Sequence, residues 1–385
     1  MKFTYGYLIA TICFLSINAL AQTTTPGTIT GTDGYHVITT AVPFLGITPD
    51  ARHAALGDAG VATSPDANSA YWNAGKLAFI DKKYGGSISV TPWLSKIIND
   101  MWIFQGTGFY KINREQAIAV GMKYFDLGEI FLRGDNNQDN GSFNPREFAF
   151  DFTYSRMLTE NLSVGITGRY IHSNLTGTFS SNNTNDARPA STAAADIGVY
   201  YTKPLQGARA SSISLGANAS NIGGKISYSN NSNKDFLPTN LRIGGVYTTE
   251  LDPYNSFSFI LDFNKLMVPT IDKGQTVLSG MFGSFSDAPG GAREELHEVI
   301  TNMGVEYWYN KTFAARAGYF LEAKDKGNRK YMTIGLGFRS QKAFGIDVAY
   351  LVPTNKRETP LAETLRFSIL FHINQKTVEE ESVTD

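Results

Sequence analysis

Residues 41–80 read AVPFLGITPDARHAALGDAGVATSPDANSAYWNAGKLAFI, and the reading of this stretch decides the fold. It holds two copies of one helix-start signal, Thr48-Pro49-Asp50-Ala51 and Ser64-Pro65-Asp66-Ala67. In each, a hydroxyl residue can cap free backbone N–H groups. Proline then takes the first helical position, and aspartate faces the positive end of the dipole. Gly57 and Gly75 offer left-handed stops soon afterwards, so the expected helices are very short. Helices of that length do not stand alone in water. A segment so rich in alanine and glycine needs an enclosing wall. The expected arrangement is a plug inside a barrel, and the remainder of the chain must build that barrel.

The chain opens with Lys2, an apolar run over 7–20 and Ala19-Leu20-Ala21 before Gln22. This is the pattern of a secretory signal over residues 1–21. A membrane anchor is the weaker reading, because the run is short and ends in a cleavage pattern. The only cysteine, Cys13, lies inside that run. A chain cleaved after Ala21 has no thiol, which excludes disulfides, zinc–thiolate sites and a cysteine nucleophile. A formal net charge of −1 removes the basic footprint of a nucleic-acid binder, so no nucleic-acid partner is expected. The chain has 37 glycines, 12% aromatic residues and 18% charged residues, a balance that suits an outer-membrane barrel.

The wall shows in strict alternation. Phe148, Phe150, Phe152 and Tyr154 point one way, with Ala149, Asp151, Thr153 and Ser155 between them. Phe257, Phe259, Leu261 and Phe263 alternate with Ser258 and Asp262, and Met303, Val305 and Tyr307 with Asn302, Gly304 and Glu306. The pattern ends at Leu365, Phe367, Ile369, Phe371 and Ile373. Period two over so many segments means strands apolar on one face and polar on the other. Links alternate between short (112–114, 158–160, 252–253, 310–311) and mostly long (126–145, 173–190, 266–298), the asymmetry of outer-membrane barrels with short periplasmic turns. The expected fold is all-β: an antiparallel transmembrane barrel of about 14 strands with an N-terminal helical plug. The same parity puts Lys123, Asp151, Arg169, Arg242, Asp262, Glu306, Arg316 and Asp347 on the lumen face. Mixed signs there point to paired walls gripping a plug more than to a selective ion channel.

Several motifs carry a family likeness. Phe44-Leu45-Gly46-Ile47-Thr48-Pro49-Asp50-Ala51-Arg52, Gly60-Val61-Ala62-Thr63-Ser64-Pro65-Asp66-Ala67 and Tyr71-Trp72-Asn73 resemble the PorV family of the Bacteroidetes type IX secretion system. More distantly they resemble the long-chain fatty-acid transporter (FadL-like) barrels with their amino-terminal hatch. Phe143-Asn144-Pro145-Arg146-Glu147, Ser284-Phe285-Ser286-Asp287-Ala288-Pro289-Gly290-Gly291 and Glu306-Tyr307-Trp308-Tyr309-Asn310 follow the same pattern. Ala74-Gly75 departs from it, since Pro-Ala is usual there. The resemblance implies an outer-membrane protein that docks on a SprA-type translocon barrel. It would take cargo proteins with C-terminal sorting domains and pass them to a PorU-type sortase, in contact with outer-membrane lipid and lipopolysaccharide. The expected organisation is a signal over 1–21, a flexible periplasmic segment over 22–41, the plug over 42–82, the barrel over 83–374 and an acidic periplasmic tail over 375–385. Within the plug, Phe44, Pro49, Asp50, Arg52, Pro65, Asp66, Tyr71, Trp72 and Asn73 are the marked residues.

Outside the plug the strongest candidate is the loop over 266–298. Val277, Leu278, Met281, Phe282 and Phe285 recur at helical spacing and give an apolar stripe, the mark of a partner surface; a lid over the barrel's own mouth is the alternative. Asp135, Asn137 and Asp139 alternate before Gly141 like the start of a calcium loop. The glycine stands one place late and Arg146 occupies the closing position, so a solvated loop tip is the better reading. There is no Gly-x-Ser-x-Gly, no His-Glu-x-x-His and no phosphate-cradling loop, and the five histidines are scattered. No enzymatic activity, cofactor or metal is expected. The competing function is FadL-like uptake of a hydrophobic solute, which wants a continuous greasy lumen in place of apolar outward loops.

Overall fold

The computed structural model describes residues 37–95, 100–133, 136–175, 188–207, 209–228, 234–340, 343–354 and 364–373. The expected signal, most of the segment over 22–41 and the acidic tail lie outside the described residues. Sixteen strands are present among those described: β1 Tyr84–Pro92, β2 Trp102–Lys111, β3 Gln116–Asp126, β4 Ile130–Arg133, β5 Asp139–Phe143, β6 Arg146–Met157, β7 Leu162–Asn174 and β8 Ala190–Leu205. They continue with β9 Ser211–Gly223, β10 Asn240–Glu250, β11 Asn255–Leu266, β12 Ile300–Tyr309, β13 Phe313–Leu321, β14 Lys330–Arg339, β15 Phe344–Pro353 and β16 Leu365–Ile373. Fourteen of them close into one antiparallel barrel in which β3 pairs with β6 and β1 closes on β16, from Tyr84↔Ile373 to Val90↔Phe367. Strands β4 and β5 form a separate hairpin inside one long link, where the sequence reading had only a loop.

The alternation is the cause of the wall. On β6, Glu147, Ala149, Thr153 and Ser155 are buried inward while Phe150 and Phe152 are exposed on the outside. The register sets Asp151 opposite Arg169 and Glu306 opposite Arg316, so charges that parity sends inward meet across neighbouring strands. Closure leaves none of the fourteen barrel strands with an unpaired edge, which a hydrocarbon surrounding demands. Among the described residues no helix is long and apolar enough to cross a membrane, so any crossing is made by strands.

Four short helical pieces fill the bore: 3₁₀ turns at Pro43–Gly46 and Ala74–Phe79, α1 Ala51–Ala54 and α2 Ser69–Trp72. Their caps differ from the sequence reading. Asp50, not Thr48, caps α1 by accepting from the His53 N–H. The second signal starts no helix at Pro65. Asp66 instead makes an Asx turn to the Asn68 N–H, and α2 begins at Ser69. Gly57 takes the left-handed conformation at φ 69°, but Gly75 lies within a 3₁₀ turn and is no left-handed stop. What Gly75 does is lie close to the wall, since a Cβ there would come within 3.0 Å of the Tyr200 nitrogen.

The plug is tied to the wall around the bore. The Ala51 N–H donates to Ser368 on β16 (2.8 Å) and the Gly57 N–H to Thr333 on β14 (2.9 Å). The Gly60 and Val61 N–H groups donate to Asp262 on β11 (2.6 and 2.9 Å). Ser163 on β7 donates to the Gly75 carbonyl (2.6 Å), and Asn73 donates to the Val199 carbonyl on β8 (2.8 Å). Inward glycines make the approach possible. A Cβ on Gly165, Gly216 or Gly318 would stand 2.4, 2.2 or 2.0 Å from plug backbone.

Candidate functional site

Arg52 organises the bore. Its guanidinium grips Glu306 with two bonds, Nε to Oε1 at 3.0 Å and Nη2 to Oε2 at 2.9 Å. Within the plug it also reaches Asp66 Oδ2 (2.9 Å) and the Ser64 carbonyl (3.0 Å). Glu306 accepts again from Arg316 Nε (2.7 Å). Arg316 continues to Asp347 (2.8 Å), and Asp347 accepts from Arg339 (2.6 Å). A chain of alternating charge therefore runs from Asp66 through Arg52, Glu306, Arg316 and Asp347 to Arg339. The Arg316 and Arg339 guanidinium groups lie 5.3 and 5.5 Å from the Trp308 ring. Each inner charge has an opposite neighbour on both sides, which is what lets charges persist away from bulk water.

A second cluster lies on β6–β9. Arg169 is held by Asp151 (2.7 Å), Asp196 (3.0 Å) and the Asn221 side chain. Lys123 donates to the Ile47 carbonyl and sits 5.0 Å over the Tyr71 ring; Arg242 stands over Tyr71 and Trp72 at 5.4 and 5.3 Å. Tyr71 donates to the Leu45 and Ile47 carbonyls (3.1 and 3.0 Å). Asp50 accepts from Trp72 Nε1 (2.8 Å) and faces His53 Nδ1 (2.7 Å), whose other ring nitrogen meets Thr63 Oγ1 (2.8 Å). Asn73 braces the plug through the Val61 carbonyl (3.0 Å), and Phe44 packs 6.4 Å from Phe125 in an apolar cluster. Pro49 is buried and Pro65 half-buried.

All eight lumen charges thus face the bore. Sequence reasoning missed Arg339, Arg366, Asp58, Lys76 and Asp196. Parity with Tyr331 and Thr333 would have placed Arg339, and parity with Ser368 would have placed Arg366. Asp196 shares the parity of Gly198 and Tyr200 against the exposed Ile197 and Val199, so strand alternation would have placed it too, although the β8–β9 register shifts beside it.

The loop over 267–299 carries α3 Val277–Gly283 and α4 Ala292–His297. The five apolar residues do not form one exposed stripe. Met281 is buried and Val277 half-buried beside Gly280, which packs on Phe236 and Pro269. Leu278 and Phe282 are 62% and 74% exposed, and Phe285 also faces out. The reason is the helix period: positions 278, 282 and 285 share a face that 277 and 281 leave. Leu296, on α4, is 73% exposed as well.

Ion pairs pin this loop from below. Lys265 on β11 pairs with Glu295 (3.1 Å) and Glu298; Lys326 pairs with Glu294 (2.6 Å) and Glu298 (2.9 Å). Burial alone would lower the Lys326 ammonium, but Glu294 and Glu298 raise it above its ordinary value. Burial would raise Asp325, yet its contact with His297 (2.8 Å) holds it below the usual carboxylate range. In the suspected calcium loop, Asp135 lies outside the described residues. Asn137 accepts from Arg133 (3.1 Å) and Asp139 from the Gly141 N–H (2.9 Å), the bonding of a hairpin tip. No group of three metal-ligating side chains occurs among the described residues.

A family model described as type IX secretion system protein PorV matches residues 30–273, well over half of the chain. The chain belongs to the PorV family. It is accordingly a component of type IX secretion located in the outer membrane. This PorV-family chain is also similar to solved barrels. The Ralstonia pickettii toluene transporter TbuX is 12% identical, with 85% of this chain and 98% of that one covered at a TM-score of 0.50. A deltaS2S3 mutant of TodX, a monoaromatic hydrocarbon channel, is 12% identical with 85% and 99% covered at 0.51. A Pseudomonas aeruginosa FadL homologue is 11% identical with 89% and 100% covered at 0.44. At these identities the likeness to the first two is one of fold alone. No curated protein matches the sequence.

Proposed function

We propose that this PorV-family barrel is an adaptor of the type IX system. It docks on a SprA-type translocon barrel, receives cargo proteins with C-terminal sorting domains and hands them to a PorU-type sortase. Residues 42–82 act as a permanent stopper. The short links, the segment over 22–41 and the tail over 375–385 lie in the periplasm, and the long links face outward. The observation that carries this reading is the exposed face of Leu278, Phe282 and Phe285, held on a loop that buried ion pairs make rigid. A pinned apolar face is prepared to bury itself against another protein. The plugged bore agrees with it: polypeptide is handled outside the cylinder. Deletion is expected to stop secretion of sorting-domain proteins and leave growth on fatty acids unchanged; the opposite pair of outcomes would overturn the proposal.

The second reading, uptake of a hydrophobic solute, is favoured by the fold shared with TbuX, a toluene transporter. The two readings separate on one side chain. Phe282→Asp charges the exposed face without touching the buried pedestal, so the barrel is expected to insert normally. Losing one buried aromatic anchor weakens association by ~2 kcal/mol or more. Recovery of the translocon with the tagged variant from solubilised membranes should drop accordingly. Wild-type recovery would remove this loop from the docking surface.

A further inference from the structure

On the outer face near the short-link end, side chains are missing where the wall should be greasy. Gly86 on β1 and Gly108 on β2 are directly paired, and both belong to the outward row that continues to Phe371 on β16 and Val120 on β3. The result is an almost wholly apolar furrow of about 400 Å³ with a glycine floor. Tyr84, Tyr110 and Ile118 rim it at the strand ends, and Val120 and Phe371 flank it. Gly106, the next outward position along β2, also presents no side chain. Lys83 stands at the mouth, its ammonium 5.0 Å from the centre of the Tyr110 ring that rims the furrow.

We propose that this furrow is a specific seat for a glycerophospholipid. One acyl chain lies on the glycine floor, and the phosphate is met by Lys83 beside the two tyrosines. The occupant follows from the surroundings. The furrow opens on the lipid side of an outer-membrane barrel, its lining is almost wholly apolar with His372 at one edge, and a cation, Lys83, stands against the Tyr110 that rims it. Apolar transfer supplies no selectivity inside a bilayer, because lipid tails are as apolar as the wall. Selectivity comes from two other sources. An acyl chain fills a concavity whose lining would otherwise lack contact atoms, and the ammonium pairs with the phosphate at an interface where aromatic rings sit at headgroup level. The inference does not depend on which protein the long links meet.

The experiment uses the full chain reconstituted in phosphatidylethanolamine–phosphatidylglycerol vesicles containing a phospholipid with a photoreactive acyl chain. Labelled peptides are quantified by mass spectrometry. Label should concentrate on β1, β2, β3 and β16 over the other lipid-facing strands. Gly108→Leu fills the furrow, and a Cβ there meets nothing closer than Val120 Cγ2 at 3.8 Å. It should cut label on these strands about tenfold, the equivalent of ~1.4 kcal/mol, and leave the rest unchanged. Val120→Trp fills the furrow from the lipid-exposed side and serves if the leucine variant fails to insert. Lys83→Glu should reduce label most with the anionic lipid. Uniform label around the barrel, unmoved by either filling variant, means ordinary annular lipid and overturns the proposal. Label moved by filling but not by Lys83→Glu overturns the headgroup assignment.

Discussion

Gly318→Leu is expected to unseat the plug. A Cβ at this inward position of β13 would stand 2.0 Å from the Gly57 nitrogen and 2.2 Å from the Leu56 carbonyl carbon. Both are backbone atoms, so no rotamer change relieves the overlap. The turn that must retreat is anchored on both sides, by the Gly57 N–H to Thr333 (2.9 Å) and by Asn302 to the Gly57 carbonyl (2.5 Å). Gly57 itself sits at φ 69°, which leaves the turn few alternatives. Overpacking plus two lost buried hydrogen bonds adds to more than ~4 kcal/mol, beyond the usual range of single substitutions. The wall's own ladder uses only the backbone at position 318, so a barrel should still form. Limited proteolysis should then cut residues 42–82, and planar-bilayer recordings should show conductance that the wild type lacks. Gly168→Ala is the control, since a Cβ there meets nothing within 4 Å and points to lipid. A Gly318→Leu protein as protease-resistant and closed as that control would refute the close-contact account of the plug.

How far the molecule could be read without coordinates follows from the range of each force. Strand parity is local, so Phe150 against Asp151 or Ser258 against Phe259 told inside from outside. Closure followed because strands apolar on one face and buried in lipid cannot keep an open edge. Plug helix starts were half legible. The Asp50 and Asp66 carboxylates both cap or turn locally, but Asp66 is shared between an Asx turn and Arg52, and the second helix begins only at Ser69. Pairing inside the bore was not legible. Arg52 and Glu306 lie 254 residues apart, and parity says that each faces inward without saying that they meet. The loop over 267–299 failed for a different reason. Its apolar residues were found, yet which of them face out is set under Gly280 by Pro269, at the start of the loop, and by Phe236, on a distant segment that nothing in the loop announces.

Glu306→Ala is expected to cost far more than Arg52→Ala, though the two residues share one interaction. Removing Glu306 leaves Arg52 and Arg316 facing each other without the carboxylate that both contact at 2.7–3.0 Å. Arg52 keeps only Asp66 and Arg316 only Asp347; breaking a buried pair costs about 3–5 kcal/mol, and here two like charges also approach. Removing Arg52 leaves Glu306 still held by Arg316, and Asp66 can turn toward water at the end of the chain. A double-mutant cycle in detergent, read by urea unfolding or heat-dependent gel mobility, should give Arg52→Ala/Glu306→Ala a smaller loss than the sum of the single variants. The half-exposed pair Lys225–Asp272 is the yardstick, since breaking it at the solvent-facing Asp272 should change stability by only ~0–1 kcal/mol and fade with salt. The Arg52–Glu306 penalty should barely respond to salt. Arg52→Met with Glu306→Leu should recover much of the loss, because a well-packed apolar pair is often as stable as a buried ionic one. The charge chain would then serve to set the plug in one register. That role is tested by whether the apolar double variant, though stable, lets the plug be cleaved. Equal losses for the two alanine variants, or full additivity, would mean that the bonds across the bore are not coupled and that packing alone holds the plug.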